Sequence, residues 1–444
     1  MRRLICLAAT LLATTAAAAP ATTAAAAPAP APVSPSELRA TIERLVGFGT
    51  RHTLSDTQSE TRGIGAARRF AAARFAAFSK DCGGCLTIET PAKMATSARV
   101  PVPAEIINVM AILPGTSDPG RVVIMSAHID SRNSDPMDAK GDAPGANDDG
   151  SGTAAVIEAA RVLSKQRFPA TIIFAVLSGE EQGLLGGTLL AETAKARGWR
   201  VEAVLNNDII GNSHGSGGAR DDKTVRVFSE GTKATETPEQ ADRRRYNGGE
   251  VDSPARNLSR FIAGLAGKDL RVEQVWRTDR FGRGGDQVPL LQAGYPAVRI
   301  TERQEHYDRQ HQNIRTENGR PYGDTIDGVD FPYLARVTTL NIKALAALAS
   351  APGVPTGVTI AGQVSPDTKL SWQPVVGAAG YTVWWRPTTS VAWTNSQAVP
   401  AGETSLTLKG IDIDSWFFGV SALGADGKAS PVVYPGPAGA FSVE

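Results

Sequence analysis

Glu180 and Glu181 stand side by side in FAVLSGEEQGLLGG, directly after an apolar run. Adjacent carboxylates repel each other, and no basic residue lies one helical turn away to reward either one. Other acidic and imidazole side chains occupy similar places. RVVIMSAHID ends in His128 and Asp130, and RVEAVLNNDIIG carries Asp208 at its end. YPAVRIT leads to Glu302 and then to EHYDRQHQN, with His306 and His311. The loop DAPGANDDGSG places Asp148 and Asp149 just before a helical pattern. Each has a plain reading when taken alone. Asp148 or Asp149 could cap a helix, the glutamates could be an acidic first turn, and His128 could be a satisfied buried histidine. His52 and His214 lack such a setting and read as structural or surface residues. Jointly the plain readings fail, because several carboxylates gathered in one place repel unless a cation sits among them. Histidines mixed with carboxylates suit zinc, and a carboxylate shared between two ions is the economy of a two-metal hydrolase.

These residues gather only if the surrounding elements bring them together. Helical periodicity runs over residues 35–47 and 58–79, and a polar, Pro-bounded stretch follows to residue 103. From there apolar runs of strand length alternate with helical patterns as far as DFPYLARVTTLNIKALAALAS. That alternation predicts a mixed, mainly parallel sheet with helices on both faces. Open sheets of this kind bind ligands outside the carboxyl ends of their strands, where the runs ending in His128, Glu180, Asp208 and Glu302 converge. Beyond APGVPTG the pattern turns to alternation and turn signals, predicting a small all-β sandwich over 355–444. No cluster of titratable groups occurs there, and ASAPGVPTG reads as a flexible joint.

The motifs SAHIDS, APGANDDGSGTAAVIEAAR, LSGEEQGLLGG and LNNDIIGN, in this order, resemble the M28 family of zinc metallopeptidases, best known as bacterial leucine-type aminopeptidases. The resemblance spans roughly 35–350 and implies a zinc exopeptidase-like domain over 34–352. It implies two zinc ions, with His128 and Asp208 on one, Glu181 and a late histidine on the other, and Asp148 bridging them. The late histidine is assigned to His311, with His306 as its rival. Asp130 would orient the His128 imidazole. Glu180, held close to the metals but not consumed by them, would take a proton from the attacking water and return it to the leaving amine. The family pattern also implies a cis peptide between Asp148 and Asp149. Where members often place a tyrosine near the substrate carbonyl, TDRFGRGGDQVPL has arginines. Arg283 or Arg280 could polarise that carbonyl or hold a substrate carboxylate, or be plain surface residues. LSWQPVVGAAGYTVWWRP followed by SWFFGVSALGADGKASP resembles a fibronectin type III domain, with Trp372 and Tyr381 as core aromatics.

The expected function is an exported exopeptidase, most simply an aminopeptidase acting on peptide substrates. A carboxypeptidase using Arg283, Arg280 or Arg303, a one-zinc glutaminyl cyclase and a non-catalytic binding protein are the rivals. Export is read from Arg2 and Arg3, the short apolar LICLAATLL and the A-x-A sites around Ala17 and Ala19, which predict a cleaved signal and a secreted or periplasmic protein. An Ala/Pro/Thr linker continues to residue 33. Cys6 falls in the signal. Cys82 and Cys85, in DCGGC, are expected to form a small disulfide in an oxidising compartment; half a zinc site and a redox motif are the less favoured readings. The 444 residues carry a formal net charge of +1, with 42% hydrophobic and 20% charged residues. That balance points to no nucleic-acid or anionic-membrane partner, and the apolar segment is too short to favour a membrane span. The β-sandwich, lacking chemistry of its own, would dock to a surface or to a large substrate.

Overall fold

The computed structural model describes residues 31–441. The expected export signal, with Cys6, and most of the linker lie outside the described residues. Helix α1 (Pro35–Val46) begins where Ser34 accepts the backbone N–H of Glu37 and a proline takes the first helical position. Helix α2 (Gly63–Asp81) starts five residues later than its periodicity predicts. Asp56 accepts the N–H groups of Gln58 and Ser59, and the Ser59 hydroxyl accepts those of Thr61 and Arg62, so side chains compete for the first turn's donors. Cys82 and Cys85 are joined by a disulfide just past the helix end.

The expected polar stretch contains structure instead. Strand β1 (Thr87–Glu89) precedes a hairpin of β2 (Ala92–Ser97) and β3 (Val100–Ile107). Its side chains are largely exposed, so hydrophobic alternation is weak and the pattern was not legible. Next come β4 (Val109–Leu113), β5 (Asp118–His128), α3 (Gly150–Leu163), β6 (Ala170–Leu177), α4 (Leu185–Ala196) and β7 (Arg200–Asn207). The chain continues through β8 (Thr224–Phe228), α5 (Pro238–Asn247), α6 (Pro254–Gly264), β9 (Arg271–Val275), α7 (Gln287–Gln292), β10 (Ala297–Glu302), a small hairpin of β11 (Arg315–Glu317) and β12 (Arg320–Tyr322), and α8 (Phe331–Ser350).

Eight strands form one sheet in the order β1-β4-β6-β5-β7-β10-β8-β9. The central strands β6, β5, β7 and β10 run parallel, while β4 and β8 pair antiparallel on either side. The expected mixed, mainly parallel sheet with helices on both faces is therefore present. Strand β6 shows why both faces are covered. Ile172, Phe174 and Val176 enter a core shared with α1, α2, α3 and α8. Ile173, Ala175 and Leu177 point the other way, into a core with α4 and α7. Among the described residues no helix is long and apolar enough to cross a membrane.

Past α8, strands β13 (Thr359–Ala361), β14 (Thr368–Ser371), β15 (Gly380–Pro387), β16 (Asn395–Pro400), β17 (Ser405–Leu408) and β18 (Trp416–Leu423) form two three-stranded antiparallel sheets. They share a core that includes Trp372 and Tyr381, whose ring centroids lie 5.3 Å apart. The segment read as a flexible joint is tied down. Arg121 donates to the carbonyls of Leu348 and Ala351, and the Val354 N–H donates to Glu202. Farther on, Arg386 of β15 donates to both oxygens of Asp252 at 2.8 and 2.6 Å, and both residues are fully buried. Arg260 of α6 shares that carboxylate at 3.1 Å. Trp393 bonds Asn257, and the Tyr434 hydroxyl donates to the Asn247 carbonyl. The joint is a built contact because its anchors are distant in sequence, where composition cannot reveal them.

Near this contact Glu230 is buried, and burial pushes its carboxyl from 4.5 up to about 8 against the opposing pull of Lys233 and Arg256. A folded-state value above the unfolded one means the native state holds an extra proton, so stability falls as pH rises from about 4.5 to 8. Glu230→Gln is expected to lack that loss. Thermal unfolding at pH 5, 7 and 9 should show the variant's advantage widening to about pH 8 and then levelling. A constant difference across the series would contradict it.

Candidate metal centre

The carboxyl ends of the parallel strands deliver the chemistry. His128 is the last residue of β5, and Asp208 follows β7 directly. The Glu180–Glu181 pair lies in the loop after β6. Helix α4 starts at Leu185, not at Glu181, so the pair is not an acidic first helical turn. Gly179 immediately before it adopts φ +84°, a conformation glycine takes without cost. The N–H groups of Gly183 and Leu184 both return to the Glu180 carbonyl, closing a tight turn. His311 arrives from the segment after β10.

Six side chains meet in two groups: His128, Glu180 and Asp208 in one, and Asp148, Glu181 and His311 in the other. The two oxygens of Asp148 are divided between the histidines. Oδ1 lies 3.3 Å from His128 Nε2, and Oδ2 lies 3.0 Å from His311 Nε2. Asp208 Oδ1 is 3.8 Å from His128 Nε2, and Glu181 Oε1 is 3.0 Å from His311 Nε2. Ligand atoms on a tetrahedral zinc with bonds of about 2.0–2.2 Å sit roughly 3–3.5 Å apart. Glu181 Oε1 is also buried with no hydrogen-bond geometry to any partner, although His311 is close. A nitrogen and oxygens facing one another without hydrogen bonding fit a shared cation.

The electrostatics agree. Burial opposes the charged form of both histidines, yet the Asp130, Asp148 and Asp208 carboxylates facing the ring hold His128 well above its ordinary value. Glu181 and Asp148 push His311 up to about 10. Burial, then Glu181 and Asp208, raises Glu180 well above the carboxylate range. The cluster holds more negative charge than its side chains neutralise, and the imidazoles take up the deficit.

Neighbouring residues have separate tasks. Asp149, not Asp148, caps α3: its Oδ1 accepts from Gly152 and its Oδ2 from His128 N–H. The capping reading of the acidic pair thus falls to Asp149, while Asp148 joins the clustered side chains. The Asp148–Asp149 peptide is cis, as the resemblance implied. Asp130 departs from expectation. Its backbone carbonyl lies 3.1 Å from His128 Nδ1, whereas its carboxylate is 3.6 Å away. That carboxylate instead accepts the N–H groups of Glu180 and Glu181 and the Thr53 hydroxyl, so it anchors the glutamate turn.

His306 joins neither group; its ring is 3.9 Å from Asp308. Arg283 pairs with Glu305 at 3.0 Å, and Arg303 with Glu273 at 2.6 Å. Arg280 bonds Asp279 and the Gly284 carbonyl. None of these arginines touches the six clustered residues. His52 is fully buried against the Pro136 carbonyl and Gln182, and His214 is exposed. Glu302 is buried and accepts from Asn147 and Asn212, which fixes the loop carrying Asp148.

Sequence reasoning missed four supports. Arg299 of β10 is fully buried and donates to Asp208 Oδ2, leaving Oδ1 for His128. Asp324 accepts the N–H groups of Asn147 and Asp148. Arg51 donates to the carbonyls of Ile129 and Gly145 beneath the same loop. Arg132 lies 2.9 Å from Glu181 Oε2 and 2.6 Å from His311 Nδ1. Only Arg299 left a signal: a lone charge inside the apolar AVRIT beside the strand that ends at Asp208.

The model of peptidase family M28 matches residues 108–329, a span that includes every clustered residue. A "Probable zinc metalloprotease" of Leptosphaeria maculans is 46% identical over 413 residues, covering 91% of this chain and 95% of the relative. A protein of the same description from Pyricularia oryzae is 44% identical, covering 91% and 83%. Such coverage reaches beyond the family match into the C-terminal sheets, so both relatives share sequence there. Among solved structures, the LapA aminopeptidase of Legionella pneumophila is similar with a TM-score of 0.51 at 18% identity, covering 72% of each chain. LapB of the same organism gives 0.50 at 20% identity, covering 71% and 72%. At these identities the likeness is one of fold.

Proposed function

Because this chain belongs to peptidase family M28, we propose that it is an exported di-zinc exopeptidase that removes N-terminal residues from peptides, with Glu180 carrying the proton. The observation that carries this reading is the division of Asp148, whose two oxygens face two separate histidines. One bridging carboxylate with a His and a further carboxylate on each side is a donor set for a pair of zinc ions. His128 and Asp208 would hold one ion, Glu181 and His311 the other. The description of the fungal relatives as zinc metalloproteases supports the metal's identity. Zinc bound there polarises a carbonyl and eases the loss of a proton from water.

The chain's own residues do the remainder. Asp130 fixes the turn so that Glu181 faces His311 while Glu180 faces His128 and Asp208. Glu180 is half-buried rather than sealed, so it can reach a substrate. As a carboxylate beside the attacking water, Glu180 would take a proton from it and pass that proton to the leaving amine. The carboxylates beside it favour a free amino terminus, which supports aminopeptidase action. The Cys82–Cys85 disulfide and the N-terminal pattern support a secreted or periplasmic location. The C-terminal sheets would meet a surface or a large substrate with their outer side.

The test combines metal content with a substrate panel. Protein freed of metal by chelation and reloaded should bind about two zinc per chain and recover activity on aminoacyl-nitroanilides. Blocked C-terminal dipeptides should not be cleaved. In the same assay His311→Ala is expected to retain about one zinc, whereas His306→Ala retains both. One zinc in the wild type, or metal loss in His306→Ala alone, would overturn the ligand set.

A further inference from the structure

One feature near the metal centre has no part in the scheme above. A groove of about 480 Å³ opens beside β8, walled by Arg226, Arg277, Arg280 and Arg283 around a single carboxylate, Glu305. Glu305 is buried and divided among three guanidiniums. Its Oε1 lies 2.6 Å from Arg226, and its Oε2 lies 3.0 Å from Arg283 and 3.5 Å from Arg280. Burial opposes its charge, but Arg280 and Arg226 hold its carboxyl below the ordinary value, so it stays ionised and its capacity is taken up. Arg277 has its guanidinium 5.3 Å from the ring of Phe281. Four guanidiniums are met by Glu305 and, on Arg280, by Asp279, which leaves the groove with a net positive charge. Two exposed aromatic residues, Phe281 and Tyr307, flank its mouth.

The groove is wired to the metal ligands. Arg280 and Arg299 donate to the same Gly284 carbonyl, at 3.2 and 3.4 Å. They also share Asp279, whose Oδ1 is 3.1 Å from Arg280 and whose Oδ2 is 3.7 Å from Arg299. Arg299 in turn bonds Asp208. The wall is therefore linked through one shared carbonyl to the arginine that bonds Asp208. Glu305 follows β10 on the same sheet edge that carries the cluster.

We infer that this arginine-walled groove takes a carboxylate of the peptide substrate and so sets specificity for acidic side chains or free chain ends. The inference rests on the peptidase reading above. A planar guanidinium pairs with a carboxylate through two parallel hydrogen bonds, and several converging on one pocket leave a neutral isostere unpaired. Loss of one charge-assisted hydrogen bond lowers binding by about ten- to a hundredfold.

The test uses zinc-loaded full chain and substrate pairs differing in one group. Asp against Asn and Glu against Gln nitroanilides probe side-chain carboxylates. A dipeptide with a free or an amidated C-terminus probes the chain end. At least one arm should favour the carboxylate about tenfold or more in kcat/KM. The preference should shrink towards unity in Arg277→Gln/Arg283→Gln and fall with added salt. Parity in both arms of the wild type overturns the inference, as does a folded double variant that keeps the preference. If no peptide is cleaved, the peptidase reading fails instead. Calorimetric binding of the dipeptide Leu-Asp against Leu-Asn to the wild type then still decides the groove: equal affinity refutes it.

Discussion

Glu180→Gln is expected to keep its bound zinc and lose at least about a hundredfold in turnover, the lower end for removing a general base. The substitution preserves shape and removes only the ability to accept a proton. Glu180 sits within one group with His128 and Asp208, but those two and Asp148 supply nitrogen and oxygen donors without it. Its backbone N–H, which bonds Asp130, is untouched. Glu181→Gln differs. Glu181 Oε1 faces His311 with no other partner, so weakening this donor should release metal. The pair of variants separates two adjacent residues by two readouts: metal content and turnover at full loading. Near-normal turnover in Glu180→Gln would remove it from the mechanism.

The second large effect lies far from the chemistry. Arg386→Ala is expected to destabilise the protein by about 3–5 kcal/mol, the range for breaking one side of a buried ion pair. Asp252 is fully buried, and Arg386 gives it two hydrogen bonds. Arg260 alone would remain to balance it. The guanidinium also packs over Trp393 and Phe417, at 5.0 and 4.8 Å from the ring centroids, so truncation opens space as well. Urea unfolding should show one cooperative transition in the wild type and a lower midpoint in the variant. For the same reason, a chain ending near Ser350 should be unstable rather than a competent minimal enzyme. A stable, active truncation would mean that the buried pair contributes little.

Much of the centre was legible because its residues obey one rule. His128 and Asp208 end apolar runs, and runs of that kind form a parallel sheet whose carboxyl ends face a common edge. The Glu pair was visible as an electrostatic anomaly. The division of labour within DD was not, because a helix cap and a member of the acidic cluster demand the same residue type at adjacent positions. The hairpin of β2 and β3 escaped because its exposed strands lack hydrophobic alternation. Arg51, Arg132 and Asp324 escaped because they act through contacts 78–179 residues apart in the chain. The tethered joint escaped for a similar reason: Ala, Pro and Gly predict a linker, and nothing local announces Arg121 or Glu202. Helix α5 escaped despite its complete capping box because none of its residues is buried and it shows no apolar face, and α2 was misplaced where Asp56 and Ser59 divert its donors.

The Arg386–Asp252 pair joins positions 134 residues apart. Synthesis delivers the acid long before its partner. At about 5–20 residues per second, the interval is roughly 7–27 s. Five of the six clustered residues precede Asp252 and His311 follows within the interval, yet until Arg386 arrives Asp252 lacks its main counter-charge and the surface around α6 lacks its cover. The half that carries the chemistry is therefore expected to remain loosely assembled until the last strands arrive, so that acquiring a tight native state is a late event in the life of the chain.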